Sequence, residues 1–328
     1  MIAKRYEGKT ILLIGSIFYG YCQKIAVYLK EHGAEVDFIA TDKRKRWLEY
    51  LERFGPKSLS RRLWDRIILK RLQHLNNSYD YILIVKGKHM SECHFRYLKE
   101  RYKDARRVVY LWDSIKNVPN WTELSGFGDE IFTFDRRDAI KYNMHLRPLF
   151  FTENNDCISS PKYQLSFVGG FHSDRYDIVK SVKDQMKELN MPYRFVFYLN
   201  RFYYLYYRFI THQIRKCDDD IIVTKQVPYK EYIQISLDST AILDINHPSQ
   251  SGLTMRTIES LGLSRKVLTT NRDILTYSMI DSTQVSILDR QQPVVNVEFI
   301  NGFCSYSTDK AYFTIGAFID ELIANGTD

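Results

Sequence analysis

The sequence predicts an α/β protein made of two consecutive units, each a parallel sheet flanked by helices. Three observations predict it. Short apolar runs alternate with segments of helical period, the pattern of strands joined by helical crossovers. The alternation stops at a polar stretch, Thr152 to Lys162 (TENNDCISSPK), and then restarts. A chain of 328 residues is also long enough for two domains, each with its own core. The expected division is 1–155 and 156–328, with the final helix able to pack back on the first domain.

The first half opens with the strand ILLIGS (11–16), then a helix from Tyr19 to His32 ended by Gly33, then the strand EVDFIAT. After a basic segment come the strand YDYILIVKG, a helix near Ser91 to Tyr102, and the strands RVVYLWDS and EIFTFD. The second half reads QLSFVGG, a helix from Asp174 to Leu189, RFVFYLN, an aromatic segment, DIIVTKQ, a helix around Tyr229 to Leu237, and AILDIN. The helix carrying Glu259, the strands KVLTT and VSILD, and a last helix near Ile315 to Ala324 complete it. A Gly or Ser follows several strands, as expected where strand ends line a crevice.

Composition narrows the function classes. Hydrophobic content of 45% and charged content of 26% are those of a globular protein in water. No apolar run approaches the ~20 residues needed to cross a bilayer, and the N-terminus runs into a strand without a signal-peptide core. A cytoplasmic location is therefore expected. Cys22, Cys93, Cys157, Cys217 and Cys304 form no CxxC pair, so they read as reduced thiols without zinc or a disulfide framework.

The net charge of +8 is concentrated. Between Lys43 and Arg71 eleven basic residues face three acidic ones, so this segment holds the whole excess. Such a segment suits an anionic partner: a membrane surface, nucleic acid or a phosphorylated substrate. Within it Trp47, Leu48, Leu51 and Phe54, then Leu63, Trp64, Ile67, Ile68 and Leu72, recur at helical spacing. Trp47 and Trp64 with Arg61 and Arg62 are the expected membrane-docking residues, apolar groups for the headgroup boundary and cations for anionic lipid. The same pattern also describes a helix packed on the sheet with a solvated basic face. Farther on, Phe195 to Arg215 interleaves aromatics with Arg201, Arg208 and Arg215, which a single helix would place on one face. That suits stacking on bases or sugars or a lipid interface, and equally a helix covering the second sheet.

The stretch Ser249 to Asn271 (SQSGLTMRTIESLGLSRKVLTTN) carries the most chemistry. A helix with a small, Gly-containing start presents unpaired N–H groups and partial positive charge, which hold phosphate. Glu259, about two turns in, is placed to accept hydrogen bonds from ribose hydroxyls. A surface loop before an ordinary helix is the other reading.

Together, the two Rossmann-like halves, SFVGG opening the second, and LDINHPSQSGLTMRTIESLG…KVLTTN resemble the GT-B class of nucleotide-sugar-dependent glycosyltransferases. The likeness is to bacterial enzymes of capsule and lipopolysaccharide assembly and to the spore-maturation type; it covers Gln164 to Ile274, and over the first half is architectural. The resemblance implies two Rossmann-like domains facing across a cleft, with the donor on the C-terminal domain and the acceptor on the N-terminal one. It implies that Glu259 holds the donor ribose, that Gly252, Leu253 and Thr254 lie beside the diphosphate, and that Gly169 and Gly170 let backbone approach the donor. Arg256 adds charge. Ser251 stands where many retaining members carry a first glutamate, which leaves the stereochemical outcome open. His172, Arg175 and Lys225 are candidates for neutralising the leaving nucleoside diphosphate, and Val227 for a backbone contact to the base. Asp113 and His89, each after a first-half strand, are candidate bases for the acceptor hydroxyl; Asp113 equally suits a helix N-cap or turn, and His89 an exposed loop. Tyr19 is expected to shape the acceptor pocket.

The implied partners are a nucleotide sugar, a glycan or lipid-linked acceptor, and the inner face of an anionic membrane, with nucleic acid disfavoured. No cofactor or metal is expected. Asp218, Asp219 and Asp220 look like the metal-binding acids of the GT-A class but read more simply as a solvated turn. Neither a phosphate loop nor a G-x-S-x-G nucleophile motif is present. The rival readings are a non-catalytic binding protein on the same scaffold and a nucleic-acid binder using the basic and aromatic stretches.

Overall fold

The computed structural model describes residues 5–42, 48, 50, 51, 55–75, 78–155 and 160–324. Trp47 and Cys157 lie outside them. The chain forms two compact units, one running through Pro148 and including the segment from Ile315, the other spanning Leu149–Thr314. No helix among the described residues is long and apolar enough to cross a membrane.

The first unit holds β1 (Thr10–Gly15), β2 (Glu35–Ala40), β3 (Tyr81–Val85), β4 (Arg106–Leu111), β5 (Glu130–Thr133) and β6 (His145–Leu146). They form one parallel sheet in the order β2-β1-β3-β4-β5-β6. Because helices cover both faces, Ile11 to Ile14 are all buried, which is why this strand is a continuous apolar run. The strand order reverses between β1 and β3, so the crevice of this unit opens at their C-terminal ends.

The Lys57–Gln73 helix buries Ser60, Trp64, Ile68 and Leu72, one residue every four, and exposes Arg61, Arg62, Arg66 and Lys70. Trp64 is 3% exposed in the core of the sheet, with the Arg71 guanidinium 5.5 Å from its ring centre. This corrects the docking role expected for Trp64: its indole is spent on the core and is not presented to lipid. The next helix, Glu92–Arg101, starts at a capping box in which the Ser91 N–H donates to His94 Nδ1 at 3.0 Å. His94 Nε2 then donates to the Asp65 carbonyl at 2.9 Å and ties the two helices together. Burial lowers the His94 pKa, which suits this neutral ring.

The last helix, Ile315–Ala324, belongs to this unit. Gly316 allows it to approach Tyr28 so closely that a Cβ would strike the phenol oxygen. Phe318 packs edge-on against Tyr110 at 4.8 Å, Arg106 Nη1 donates to the Ile323 carbonyl at 2.8 Å, and Arg147 pairs with Glu321 at 3.1 Å.

The second unit holds β7 (Tyr163–Gly170), β8 (Tyr193–Tyr198), β9 (Ile222–Val223), β10 (Ser239–Asp244), β11 (Lys266–Thr269) and β12 (Val285–Ile287). All are parallel in the order β12-β11-β10-β7-β8-β9, which reverses between β7 and β10. Its core joins Leu165 and Phe167 of β7 to Ile178, Val179 and Val182 of the Arg175–Glu188 helix and to Ala241, Leu243 and Leu268.

Two local expectations are revised here. The aromatic segment is a short helix, Arg201–Leu205, that runs into a π-turn, Tyr206–Ile210, and stops, so Arg215 does not share a helix face with Arg201 and Arg208. Tyr207 stacks on Phe171 at 5.2 Å, whereas Phe202, Tyr203, Leu205, Tyr206, Phe209 and Ile210 are exposed. The triple aspartate is not a solvated turn throughout: Asp218 is fully buried. It accepts from Lys183 at 3.0 Å, Arg215 Nε at 2.6 Å and the Tyr176 hydroxyl at 2.8 Å. Burial works to raise its pKa, but the hydrogen bonds from Arg215, Tyr176 and Lys183 outweigh it and hold the group at about 2.

Because that pKa lies below the ordinary value of 3.8, Asp218 stabilises the fold at higher pH and the contribution is lost as pH falls from about 4 towards 2. Asp218→Asn should flatten the acid limb of a stability–pH curve in that window. Lys183→Met, which takes one of its two cationic partners from this buried carboxylate, should cost about 3 kcal/mol, read as a lower urea midpoint; an unchanged midpoint would show that Arg215 and Tyr176 suffice.

Candidate functional site

The ends of β7 and β10 build one constellation. Asp244 closes β10, fully buried, and its carboxylate takes four donors. Oδ1 accepts from Thr254 Oγ1 at 2.9 Å and Arg256 Nη1 at 2.7 Å, and Oδ2 from Thr257 Oγ1 at 2.8 Å and Thr269 Oγ1 at 3.3 Å. The Met255–Gly262 helix is thereby pinned by its first turn, and Thr254 also caps it by accepting from the Thr257 N–H at 3.2 Å. Arg256 reaches on to β7, donating from Nε and Nη2 to the Val168 carbonyl at 3.1 and 2.8 Å. Gly169 is small for a visible reason: a Cβ there would lie 2.7 Å from Arg256 Nη2 and from the Phe167 ring. At Gly170 a Cβ would meet nothing, so that position faces open space.

Arg175, 7% exposed, starts the helix after β7 and donates to the Ile245 carbonyl at 3.1 and 2.6 Å and to the Gly170 carbonyl at 3.3 Å. Burial and the charge of Arg256 push its pKa down, but a guanidinium remains cationic at neutral pH. Arg290, after β12, pairs with Asp174 at 2.7 Å and donates to the Asn246 carbonyl at 2.6 Å. Burial alone would raise the Asp174 pKa; the hydrogen bonds and charge of Arg290 lower it instead. At the rim, His172 lies 5.9 Å from His247. Desolvation, then the positive charges of Arg175, His247 and Arg256, hold its pKa down at about 4.

The loop from Ile245 to Leu253 is braced from within. Asn246 Nδ2 donates to the Gln250 carbonyl at 2.8 Å, and Asn271 Nδ2 to the carbonyls of Ser251 and Gly252 at 3.0 and 3.1 Å. Ser251, Gly252 and Leu253 are consequently buried. Three arginines, a helix N-terminus and open backbone at Gly170 thus gather near the C-terminal ends of these strands, a field suited to a diphosphate.

Glu259 lies on the same helix, fully buried. Its Oε1 accepts from the Tyr229 hydroxyl at 3.0 Å and Thr152 Oγ1 at 3.2 Å, and those two hydroxyls lie 2.6 Å apart. Burial, then the Glu259 charge, raises the Tyr229 pKa, so the phenol remains a donor.

The structure thus brings together Gly169, Gly170, His172, Arg175, Ser251, Gly252, Leu253, Thr254 and Arg256. Val227 is buried with Val196 and Ile235 against Val168, at the edge of the group, while Lys225 is an exposed residue of the turn after β9. Sequence reasoning missed Asp244, Asp174, Arg290, Asn246, Asn271, Tyr229 and Thr152. For Asp244 and Arg290 a signal existed, a charged residue at or just past a strand's C-terminal end.

In the first unit, Asp113 follows β4 and pairs with Lys86 at 3.1 Å. His89 lines a pocket of about 190 Å³ with Ser16, Thr41, Asp42, Lys86 and Lys88, at the reversal point between β1 and β3. Tyr19, in the turn after β1, has φ 48° and is 37% exposed. Among the described residues no group of three His, Cys, Asp or Glu side chains could hold a metal ion.

No family model and no curated protein matches the chain. Solved structures do. An alpha-glucosyltransferase in complex with UDP and a 13-mer DNA aligns over 95% of this chain and 95% of its own, at TM-score 0.55 and 12% identity. The N-terminal domain of Candida albicans trehalose-6-phosphate phosphatase aligns over 98% and 99%, at 0.55 and 9% identity. UDP-GlcNAc 2-epimerase from Neisseria meningitidis, bound to UDP-GlcNAc, aligns over 97% and 100%, at 0.52 and 12% identity. The shared property is the two-unit α/β fold of the GT-B type.

The depressed His172 pKa has a direct consequence. Unfolded chain binds a proton at this imidazole near pH 6.5 and the folded chain only near 4, so the stability owed to the neutral ring is complete above 6.5 and is lost as pH falls to 4. The ring proton shifts of His172 in NMR should titrate near 4, and added pyrophosphate should move the midpoint upward by neutralising the neighbouring cations. A midpoint near 6.5 without ligand would show that neither burial nor the neighbouring arginines act on this ring.

Proposed function

We propose that the protein is a nucleotide-sugar-dependent glycosyltransferase whose donor diphosphate sits at the C-terminal ends of β7 and β10. The observation that carries this reading is the convergence of Arg175, Arg256 and the Met255–Gly262 helix N-terminus on backbone left open at Gly170. The fold is shared with a solved structure holding UDP and with one holding UDP-GlcNAc, which supports the same class of ligand here.

In the proposed reaction the bond from the sugar anomeric carbon to the β-phosphate oxygen breaks, and its electron pair leaves with the nucleoside diphosphate. Arg175, Arg256 and the helix dipole neutralise that charge, with His172 and Lys225 at the rim. Glu259 takes the ribose hydroxyls in place of Tyr229 and Thr152, and the Val227 backbone contacts the base. An acceptor hydroxyl forms the new bond to the anomeric carbon and gives its proton to Asp113 or His89. Tyr19 lines the acceptor side. No metal or organic cofactor enters the proposed step. The resemblance supports a surface-polysaccharide or lipid-linked acceptor, of the capsule, lipopolysaccharide or spore-maturation kind, and a cytoplasmic location. The exposed Arg61, Arg62, Arg66 and Lys70 suit peripheral contact with an anionic inner membrane face.

A thermal-shift panel of UDP, GDP, CMP and their sugar conjugates tests the donor site, since a ligand of the native state raises the melting temperature by mass action. One nucleotide class should give a clear shift, and Glu259→Gln should weaken it about tenfold, roughly 1.4 kcal/mol. Absence of any shift across the panel would overturn the reading. Binding without nucleoside diphosphate release would move the protein to the non-catalytic class.

A further inference from the structure

A second pocket in the first unit has a chemistry of its own. It measures about 330 Å³, within the range of small-molecule sites, and is lined by residues of the Lys57–Gln73 helix, the turn after β3 and Pro119–Asn120. It adjoins the pocket described above, with which it shares Lys88 and His89.

Its charge is unbalanced. Lys57, Arg61, Lys88 and His89 line it, against the single carboxylate of Asp65. Among the described residues no ion pair engages Lys57, Arg61 or Lys88. Lys57 and Arg61 stand one turn apart at the start of a helix with no acid in its first turn. Cations are disfavoured there, because the helix dipole already puts partial positive charge at that end. A bound oxyanion would offset both at once.

Charge is not the only unmet demand. Asn120 lines the same pocket and is 3% exposed. Its amide nitrogen donates to the carbonyls of Gly87 and Met90 at 3.0 and 2.9 Å. Both partners are acceptors, so the amide orientation is settled and Oδ1 must face the other way. That oxygen is buried and receives no hydrogen bond among the described residues. A buried acceptor left unpaired costs about 1–3 kcal/mol, which a ligand hydroxyl would recover. Met90, Pro119 and the edge of Trp64 supply apolar wall beside it.

We infer that this pocket binds an oxyanion-bearing saccharide, a sugar carrying phosphate or carboxylate, with the oxyanion on Lys57, Arg61 and Lys88 and a hydroxyl donating to Asn120 Oδ1. Lys57, Arg61 and Lys88 are exposed and Asn120 Oδ1 is buried, so a ligand carrying both an oxyanion and a sugar hydroxyl would engage both features at once. On the proposed glycosyltransferase reading, on which this assignment of role rests, the ligand is the acceptor, and His89 stands at its edge as the base for another hydroxyl.

Calorimetry of the full chain with glucose 6-phosphate, glucose 1-phosphate, glucuronate, glucose and inorganic phosphate tests this. At least one of the three sugar oxyanions should bind ten times more tightly than both glucose and phosphate. Raising salt from 50 to 500 mM should weaken it, and Arg61→Ala with Lys88→Ala should weaken it at least tenfold. Removing sugar hydroxyls one at a time should cost about tenfold at one position only, the partner of Asn120. Circular dichroism and the nucleotide thermal shift report whether the double variant is folded. Phosphate binding as tightly as the sugar phosphates would reduce the site to a free-anion site and overturn the inference; so would failure of all three sugar oxyanions, or a folded double variant within twofold of wild type. Sugar binding here with no nucleotide binding in the second unit would sink the glycosyltransferase reading and leave this site standing.

Discussion

The second unit depends on one buried carboxylate. Asp244 ends the central strand β10 and joins four donors from two places: Thr254, Arg256 and Thr257 at the start of the Met255–Gly262 helix, and Thr269 at the end of β11. Through Arg256 the grip extends to the Val168 carbonyl of β7, across the line where the strand order reverses. The Phe167 ring centre lies 4.8 Å from the Arg256 guanidinium and 6.0 Å from that of Arg175, so the ring's π face adds cation–π attraction. Removing the Asp244 carboxylate would leave Arg256 facing the Val168 carbonyl with no counter-charge, and would unpin the first turn of the Met255–Gly262 helix.

The two crevices are prepared differently. In the second unit, Arg175 and Arg290 are already committed, to strand-end carbonyls and to Asp174, and hold their positions without a ligand. Such fixed dipoles and charges stabilise developing negative charge without reorganising during reaction. In the first unit, Lys57, Arg61 and Lys88 have long side chains and no ion-pair partner among the described residues, so a ligand would have to order them. Ordering costs side-chain entropy, which favours a ligand that also satisfies a rigid group. Asn120, locked by Gly87 and Met90, is such a group.

Much of this was legible in the chain. Strands buried on both faces are apolar without interruption, as in ILLIG and YILIV, so two parallel sheets could be read directly. The start of the Met255–Gly262 helix was visible from its small residues, and Gly169 was visible as a position needing bareness, although what fills the space is Arg256. Long-range pairings left no trace in spacing. Arg290 meets Asp174 across 116 residues, and Asp218 meets Lys183 across 35, which turned an apparently solvated acid into a buried one. Trp64 misled because basic neighbours dominate its segment, while burial is decided by the four-residue row Ser60, Trp64, Ile68, Leu72.

On the proposed reading, Glu259 is a closed acid whose present donors a ligand would replace. Its carboxylate receives two hydroxyls that are themselves 2.6 Å apart, one from Tyr229 and one from Thr152. A vicinal diol presents the same pattern: two neighbouring O–H groups able to donate to one carboxylate. Exchange of the Tyr229 and Thr152 hydroxyls for those of a ribose would keep hydroxyl donors at this buried carboxylate. The free energy of exchange would then rest on where Tyr229 goes. Its hydroxyl keeps its proton, because burial and the Glu259 charge raise its pKa, and it would need a new acceptor or water once displaced. On that reading the acid would set what kind of group can enter, and the tyrosine how readily it does so.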